Sequence, residues 1–263
     1  TTEEEFFNSE YMKQTRLDML QGTKRPECHA CYQNEDNKIL SLREESTFES
    51  DGTLKRNFTD IIEQTKEDGS VYNKPSYYDS RTIHCNLQCV SCGITYSSQH
   101  IDLFIEMFGK DTLNNARGNG GTIGNPFKVD KQHEAKTAEE MKAGLEEKRI
   151  TGFYWAGGEP FMSPVHWTVM EKILELREKP GYKDYVDNLR IHYNTNLTRR
   201  EWKRKPVAQI LNKYKHLRIE ASLDGTHETL EYTRDGAIWN EIENNWREFA
   251  EAGITMEVAS VLT

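Results

Sequence analysis

From residue 77 onward the chain alternates short β-like runs with amphipathic helical stretches, and no other feature limits its fold so strongly. Strands are predicted at 77–83, 152–156, 189–193, 217–223 and 254–262, where apolar, β-branched or aromatic residues cluster between turn signals. Helices are predicted between and after them, at 98–108, 137–147, 164–177, 198–214 and 238–252. Thr137 with Glu140, and Thr198 with Glu201, have the spacing of capping boxes. Pro164 suits a first helical turn and Gly253 suits a helix end, whereas Pro206 should kink or break its helix. Such a pattern predicts an α/β protein with a parallel sheet, closed or partly closed, whose function lies at the C-terminal ends of the strands. The long Gly/Asn-rich stretch 109–134 reads as an insertion or surface loop.

Residues 1–75 differ in texture. They are charged and irregular, with helices expected at 10–20, stopped by Gly22, and at 57–66. The chain therefore reads as two domains, 1–75 and 76–263. With 34 Lys and Arg against 43 Asp and Glu, its net charge is −9, which argues against a nucleic-acid backbone binder. The basic run 199–205 reads as the solvated face of a helix. No run is apolar enough for a membrane span and no signal peptide opens the chain. The start, TTEEEFF, lacks an initiator methionine, so an upstream segment is expected. The five cysteines, at 28, 31, 85, 89 and 92, are an odd, clustered set. That usage points to metal ligation in a reducing, cytoplasmic setting rather than to disulfides.

Cys85, Cys89 and Cys92 stand in a C-x3-C-x2-C loop just after the first strand. Three thiolates on one loop can hold three irons of a [4Fe–4S] cluster and leave the fourth iron for a non-protein ligand. The competing reading is structural zinc, with Cys28, Cys31 or His84 as fourth ligand. After the second strand comes AGGEP. Gly157 and Gly158 allow close backbone approach, Glu159 can receive an ammonium group, and Pro160 fixes the outgoing chain. Alone, that segment reads as a plain strand-to-helix turn.

In this order the cysteine loop and the GGEP segment resemble those of the radical S-adenosylmethionine (SAM) superfamily. Asn194-Thr195-Asn196 is similar to the family's T-N-G segment, with Leu197 where glycine is usual. Ser222-Leu223-Asp224-Gly225 is similar to its S-x-D-G segment, and Arg234 to an arginine that commonly follows. The likeness covers 77–263. It implies an incomplete parallel (βα) barrel, a partial TIM barrel, with a [4Fe–4S] cluster on Cys85, Cys89 and Cys92. It implies that SAM chelates the open iron, that the GGEP segment steadies the SAM amino group, and that Asn196, Ser222 and Asp224 lie near SAM or substrate. Capping and turn chemistry is the plain reading of those three residues. The implied reaction is reductive cleavage of SAM to a 5′-deoxyadenosyl radical that abstracts a hydrogen, fed by an electron donor. Ser91 departs from the many members that place an aromatic residue or Met there against adenine. Related cores often have six strands and this pattern stops after five, so the chain reads as a fragment or as one completed by another chain.

Cys28-x2-Cys31-Tyr32, followed by Glu35 and Arg43, is similar to the twitch region of SPASM/twitch radical SAM proteins. That resemblance implies an auxiliary iron–sulfur cluster on Cys28 and Cys31, and a peptide or small-molecule substrate. The residues themselves also allow a zinc knuckle or two free thiols. His29, His84 and His100 read as surface or turn histidines, and Trp155 and Trp239 as core. The reading of a different class is a non-catalytic metal-binding or interaction module that keeps the motifs without the reaction.

Overall fold

Five parallel strands form the main sheet: β1 (Tyr77–Thr82), β3 (Gly152–Gly157), β4 (Arg190–Thr195), β7 (His216–Ser222) and β9 (Met256–Ala259), side by side in that order. Two short antiparallel ladders accompany it, β2 (Gln88–Cys89) with β8 (Arg234–Asp235), and β5 (Glu201–Trp202) with β6 (Lys205–Pro206). The computed structural model describes residues 3–71, 76–94, 96–109 and 131–261. Because spatial order equals chain order, every crossover adds its strand to the same edge. A doubly wound sheet reverses direction at a switch point, whereas this one winds as a barrel does. The fold is the expected incomplete parallel (βα) barrel.

The strands alternate in burial, β4 most clearly. Ile191, Tyr193 and Thr195 are buried while His192 and Asn194 are only partly so. The same period of two buries Phe153 and Trp155 on β3, and Ile219 and Ala221 on β7. This apolar face meets the helices that return each strand. They are α7 (Lys131–Glu146), α8 (Pro164–Arg177), α10 (Val207–Leu211) and α12 (Trp239–Glu251), which bury Met141, Leu145, Ile173, Leu211 and Phe249. Full burial of such a side chain stabilises by about 1.5–3 kcal/mol. The remaining helices of this unit are α6 (Ser98–Phe108), α9 (Lys183–Asp187) and α11 (His227–Thr233).

Two sequence expectations fail here. The predicted helix 137–147 begins earlier, at Lys131, so Thr137 lies mid-helix and caps nothing. The predicted helix 198–214 does not form over its first half. Residues 201–206 make the β5–β6 hairpin, and helix starts only at Val207, after Pro206. Proline's missing N–H and ring exclude a continuous helix through that point. Of the stretch read as an insertion, 110–130 lie outside the described residues, and 131–134 belong to α7.

The chain forms two compact units, a first one to Pro75 and the sheet unit, which begins at Ser76. The first contains α1 (Glu3–Phe7), α2 (Glu10–Leu20), α3 (His29–Asp36), α4 (Leu42–Thr47) and α5 (Arg56–Gln64). Val71 is its single fully buried apolar side chain among the described residues. Polar clasps serve it instead. Arg43 grips Glu35 at 2.9 and 2.6 Å, and Ser41 donates to the same carboxylate at 2.7 Å while capping α4.

Candidate active site

The chain segment after β1 is tied down by contacts that sequence inspection does not reveal. Ser98 N donates to the Ile83 carbonyl at 2.7 Å, and the buried Ser97 hydroxyl to the Leu87 carbonyl at 3.1 Å. His100 Nε2 lies 3.0 Å from the Cys89 carbonyl oxygen, so this histidine helps shape the cysteine loop. The β2–β8 ladder pairs Cys89 with Arg234, and Val90 N donates to the Thr233 carbonyl at 2.8 Å.

These restraints bring the three cysteines to one cavity of about 290 Å³ at the C-terminal end of the sheet. Gly157, Gly158, Asn194, Asn196, Ser222 and Arg234 share its wall, with Arg81, Leu87, Ser91, Tyr96, Tyr154 and Ala156. Cys85 and Cys89 are buried and Cys92 is half-buried. Burial raises all three thiols, Cys89 to about 11, although the Arg234 charge opposes this at Cys89 and Cys92. Metal ligation by these thiols would therefore release their protons. Asn196 Nδ2 donates towards Cys85 Sγ at 3.9 Å, and Arg234 Nη1 towards Cys89 Sγ at 3.8 Å. Among the described residues no three His, Cys, Asp or Glu side chains converge on a point suited to a single metal ion.

The other predicted site residues divide into wall and support. A Cβ added to Gly157 would collide with the Thr82 carbonyl, and one on Gly158 with the His84 carbonyl. The glycines thus let β3 approach the start of the cysteine loop, a packing demand in addition to any ligand. Glu159 is fully buried and absent from the cavity wall. Its carboxylate accepts hydrogen bonds from Phe161 N at 3.0 Å, Asn196 N at 2.8 Å and the Thr195 hydroxyl at 2.9 Å. Burial pushes it up to about 7 against the pull of those donors. Pro160 is buried in a 3-10 turn, Pro160–Met162, behind the wall. Asp224 lies off the wall as well, 2.9 Å from Arg234 Nη2, with Val261 N donating to its other oxygen at 2.9 Å.

Leu197, where glycine was the expected residue, has a φ of 56°. That left-handed backbone is the reason glycine suits the position. Leucine is accommodated by complete burial, while Asn245 Nδ2 donates to its carbonyl at 2.6 Å.

Sequence reading gave no site role to Arg81, Tyr96, Tyr154 or Asn194. The signal for Tyr154 and Asn194 was present: they alternate with the core residues Trp155 and Tyr193 and so face the other side of the sheet. Asn194 Oδ1 is buried without a hydrogen-bond partner. Below the cavity the same face continues as a polar row. Arg81 lies over the Tyr154 ring, Tyr154 packs on His192 at 4.7 Å, and His192 lies 3.3 Å from Glu220. Arg218 then bridges Glu220 and Glu257, each at 2.8 Å.

Cys28 and Cys31 stand apart from this. Cys28 ends a 3-10 turn, Pro26–Cys28, and Cys31 lies in the first turn of α3; both are half-buried.

A parallel barrel-like sheet thus carries three thiols at one cavity at its C-terminal end. The chain belongs to the radical SAM superfamily, which it matches over residues 80–263. The superfamily is one whose members use a [4Fe–4S] cluster and SAM. No curated protein matches the chain. Among solved structures it is similar to native anSMEcpe with bound AdoMet, 20% identical over 71% of this chain and 43% of that one, with a TM-score of 0.43. It is likewise similar to native anSMEcpe with bound AdoMet and Cp18Cys peptide, 19% identical over 71% and 42% of the two chains, at a TM-score of 0.43. The chain thus spans less than half the length of those structures. No described helix is long and apolar enough to cross a membrane.

Proposed function

We propose that Cys85, Cys89 and Cys92 hold the [4Fe–4S] cluster and that the adjoining cavity takes SAM. The observation that carries this reading is the convergence of three thiols, from a loop with no fourth cysteine, on one cavity that also bears an unpartnered acceptor, Asn194 Oδ1. The donor set fits: three soft thiolates suit iron–sulfur ligation, and the surrounding polar groups suit a charged, hydrogen-bonding cofactor. When bound, the cluster and SAM supply reductive cleavage to a 5′-deoxyadenosyl radical for hydrogen abstraction.

The chain's own residues hold and orient. Gly157 and Gly158 bring backbone to the cavity edge, and Ser222 and Asn196 offer hydrogen bonds along it. Tyr96 and Tyr154 present aromatic faces, which Ser91 lacks. Glu159 acts through the wall by fixing Asn196 N and the turn at Phe161. Asp224 aims Arg234 at the Cys89 side of the site. The substrate is a peptide or small molecule admitted over the polar face bearing Tyr154, His192 and Glu220. Residues 1–75 form a twitch-like domain, in which Cys28 and Cys31 are offered as ligands to an auxiliary iron–sulfur cluster. The test is to reconstitute the protein with iron and sulfide under anaerobic conditions, reduce it and add SAM. 5′-Deoxyadenosine should accumulate, and protein that carries a reducible cluster but forms none would be a binding module instead.

A further inference from the structure

Five of the seven residues in the run 199–205, RREWKRK, are Lys or Arg, on a chain of net charge −9. No other stretch is so basic. The fold presents this run on the β5–β6 hairpin, with Lys203 and Arg204 at its tip at φ of 47° and 63°. A two-residue turn of that kind favours Asn and Gly, so two long cations are an unusual choice there. The hairpin is well anchored. Trp202 stacks on Trp167 of α8 at 4.5 Å and 5°, Lys203 pairs with Glu171, and Arg200 reaches Glu248 at 3.7 Å. Arg199, Arg204 and Lys205 remain exposed, without an ion-pair partner among the described residues.

The stem of this hairpin leads directly to the cysteine loop. Three residues before Arg199, Asn196 Nδ2 donates towards Cys85 Sγ at 3.9 Å, and the Thr198 hydroxyl meets Asn86 Oδ1 at 3.1 Å. A cationic projection on an acidic protein attracts an acidic partner to one place while the rest of the surface repels it. We propose that the 199–205 hairpin docks an acidic electron-transfer protein that reduces the cluster at Cys85, Cys89 and Cys92. The inference rests on the radical SAM reading above. In the step, one electron leaves the partner's reduced redox group and is taken up at the cysteine-bound cluster. The partner is oxidised by one electron and the site reduced by one, with no bond made or broken.

The test compares two reductants on the anaerobically reconstituted protein, followed by the bleaching of its iron–sulfur absorbance. One is dithionite; the other is a reduced flavodoxin, an acidic flavoprotein. Arg204→Glu with Lys205→Glu should slow reduction by flavodoxin about tenfold at low salt, and the difference should vanish near 0.5 M salt, where charges are screened. Arg204→Gln with Lys205→Gln should fall between, and dithionite should reduce all three proteins alike. Equal flavodoxin rates in parent and variants at low salt would overturn the proposal. So would an equal slowing with dithionite, which would place the damage at the site itself, or a charge-dependent affinity for single-stranded RNA with flavodoxin unaffected. A parent without any dithionite-reducible cluster would instead refute the radical SAM reading on which the docking depends.

Discussion

The two cysteine regions are built in opposite ways. Around Cys85, Cys89 and Cys92 the restraints are long-range: Asn196 reaches Cys85 across 111 residues, and Arg234 reaches Cys89 across 145. Around Cys28 and Cys31 they are shorter in range, Tyr11 reaching Glu27 across 16 residues, the Arg43–Glu35 clasp spanning 8 and the Ser41–Glu35 bond 6. The first loop therefore takes its shape from contacts with the folded barrel. The second rests on a unit with one buried apolar side chain among its described residues and several polar clasps, the kind of small segment that metal binding can hold together.

The sharpest break in this comparison is the loss of each cysteine set. Changing Cys85, Cys89 and Cys92 together to Ala should abolish the SAM-site cluster while leaving the barrel folded, as read by iron and sulfide analysis with circular dichroism. Changing Cys28 and Cys31 to Ala should lower the iron count but leave SAM bound to the remaining cluster. Release of zinc with iron unchanged would make that pair a zinc knuckle, and no change in either metal would make them free thiols.

Core truncation comes next in size. Phe153→Ala should destabilise the sheet unit by about 3–5 kcal/mol in denaturant unfolding. Val71→Ala should cost its own unit only roughly 1.5 kcal/mol. Equal losses would mean that the first unit has as much core as the second.

Glu159→Gln tests whether the carboxylate serves the wall or the ligand. It places an amide N–H against donors now shared among Phe161, Thr195 and Asn196. Loss of those charge-assisted bonds should cost about 1.5–3 kcal/mol of stability. SAM affinity in cluster-replete protein should fall by about one to two decades as Asn196 shifts. Weaker SAM binding with unchanged stability would show the carboxylate acting on the ligand alone.

A further effect is on pH. His166 is fully buried among Trp155, Phe161 and Tyr193, and burial pulls it down to about 3. The unfolded chain takes up a proton near the ordinary histidine value of about 6.5, while the folded chain does not. Its contribution is thus complete above that pH and lost as pH falls towards 3, at up to about 1.4 kcal/mol per pH unit. His166→Gln can keep a hydrogen bond to the Tyr193 hydroxyl, 2.8 Å away in the parent. The variant should show a flatter fall in melting temperature between pH 7 and pH 5, and a slope equal to the parent's would put the pH dependence elsewhere.

The strands were legible because their side chains alternate or run apolar, and 98–108 and 164–177 were legible as helices from period and proline placement. The hairpin was not: RREWKRK has a good capping signal and good helix formers, and only Pro206 argued otherwise. Its conformation depends on Trp202 finding Trp167, a tertiary contact that no local pattern announces. The cavity was legible where its residues sit in motifs, as at Gly157, Asn196 and Ser222. It was illegible at Arg81 and Tyr96, whose place on the wall follows from how the loop folds over the sheet. The supporting place of Glu159 was hidden for the same reason, since its three partners come from two separate segments, the 3-10 turn at Phe161 and the end of β4.

The central claim is that the Cys85/Cys89/Cys92 loop is a prebuilt three-thiolate site whose cluster keeps one iron open to SAM. Electron paramagnetic resonance of the reduced, reconstituted protein, recorded before and after SAM is added, tests it most directly. The account predicts a [4Fe–4S]⁺ signal that changes shape when SAM binds and is lost when the three cysteines become Ala. A signal indifferent to SAM, or stoichiometric zinc with no iron after anaerobic preparation, would contradict it.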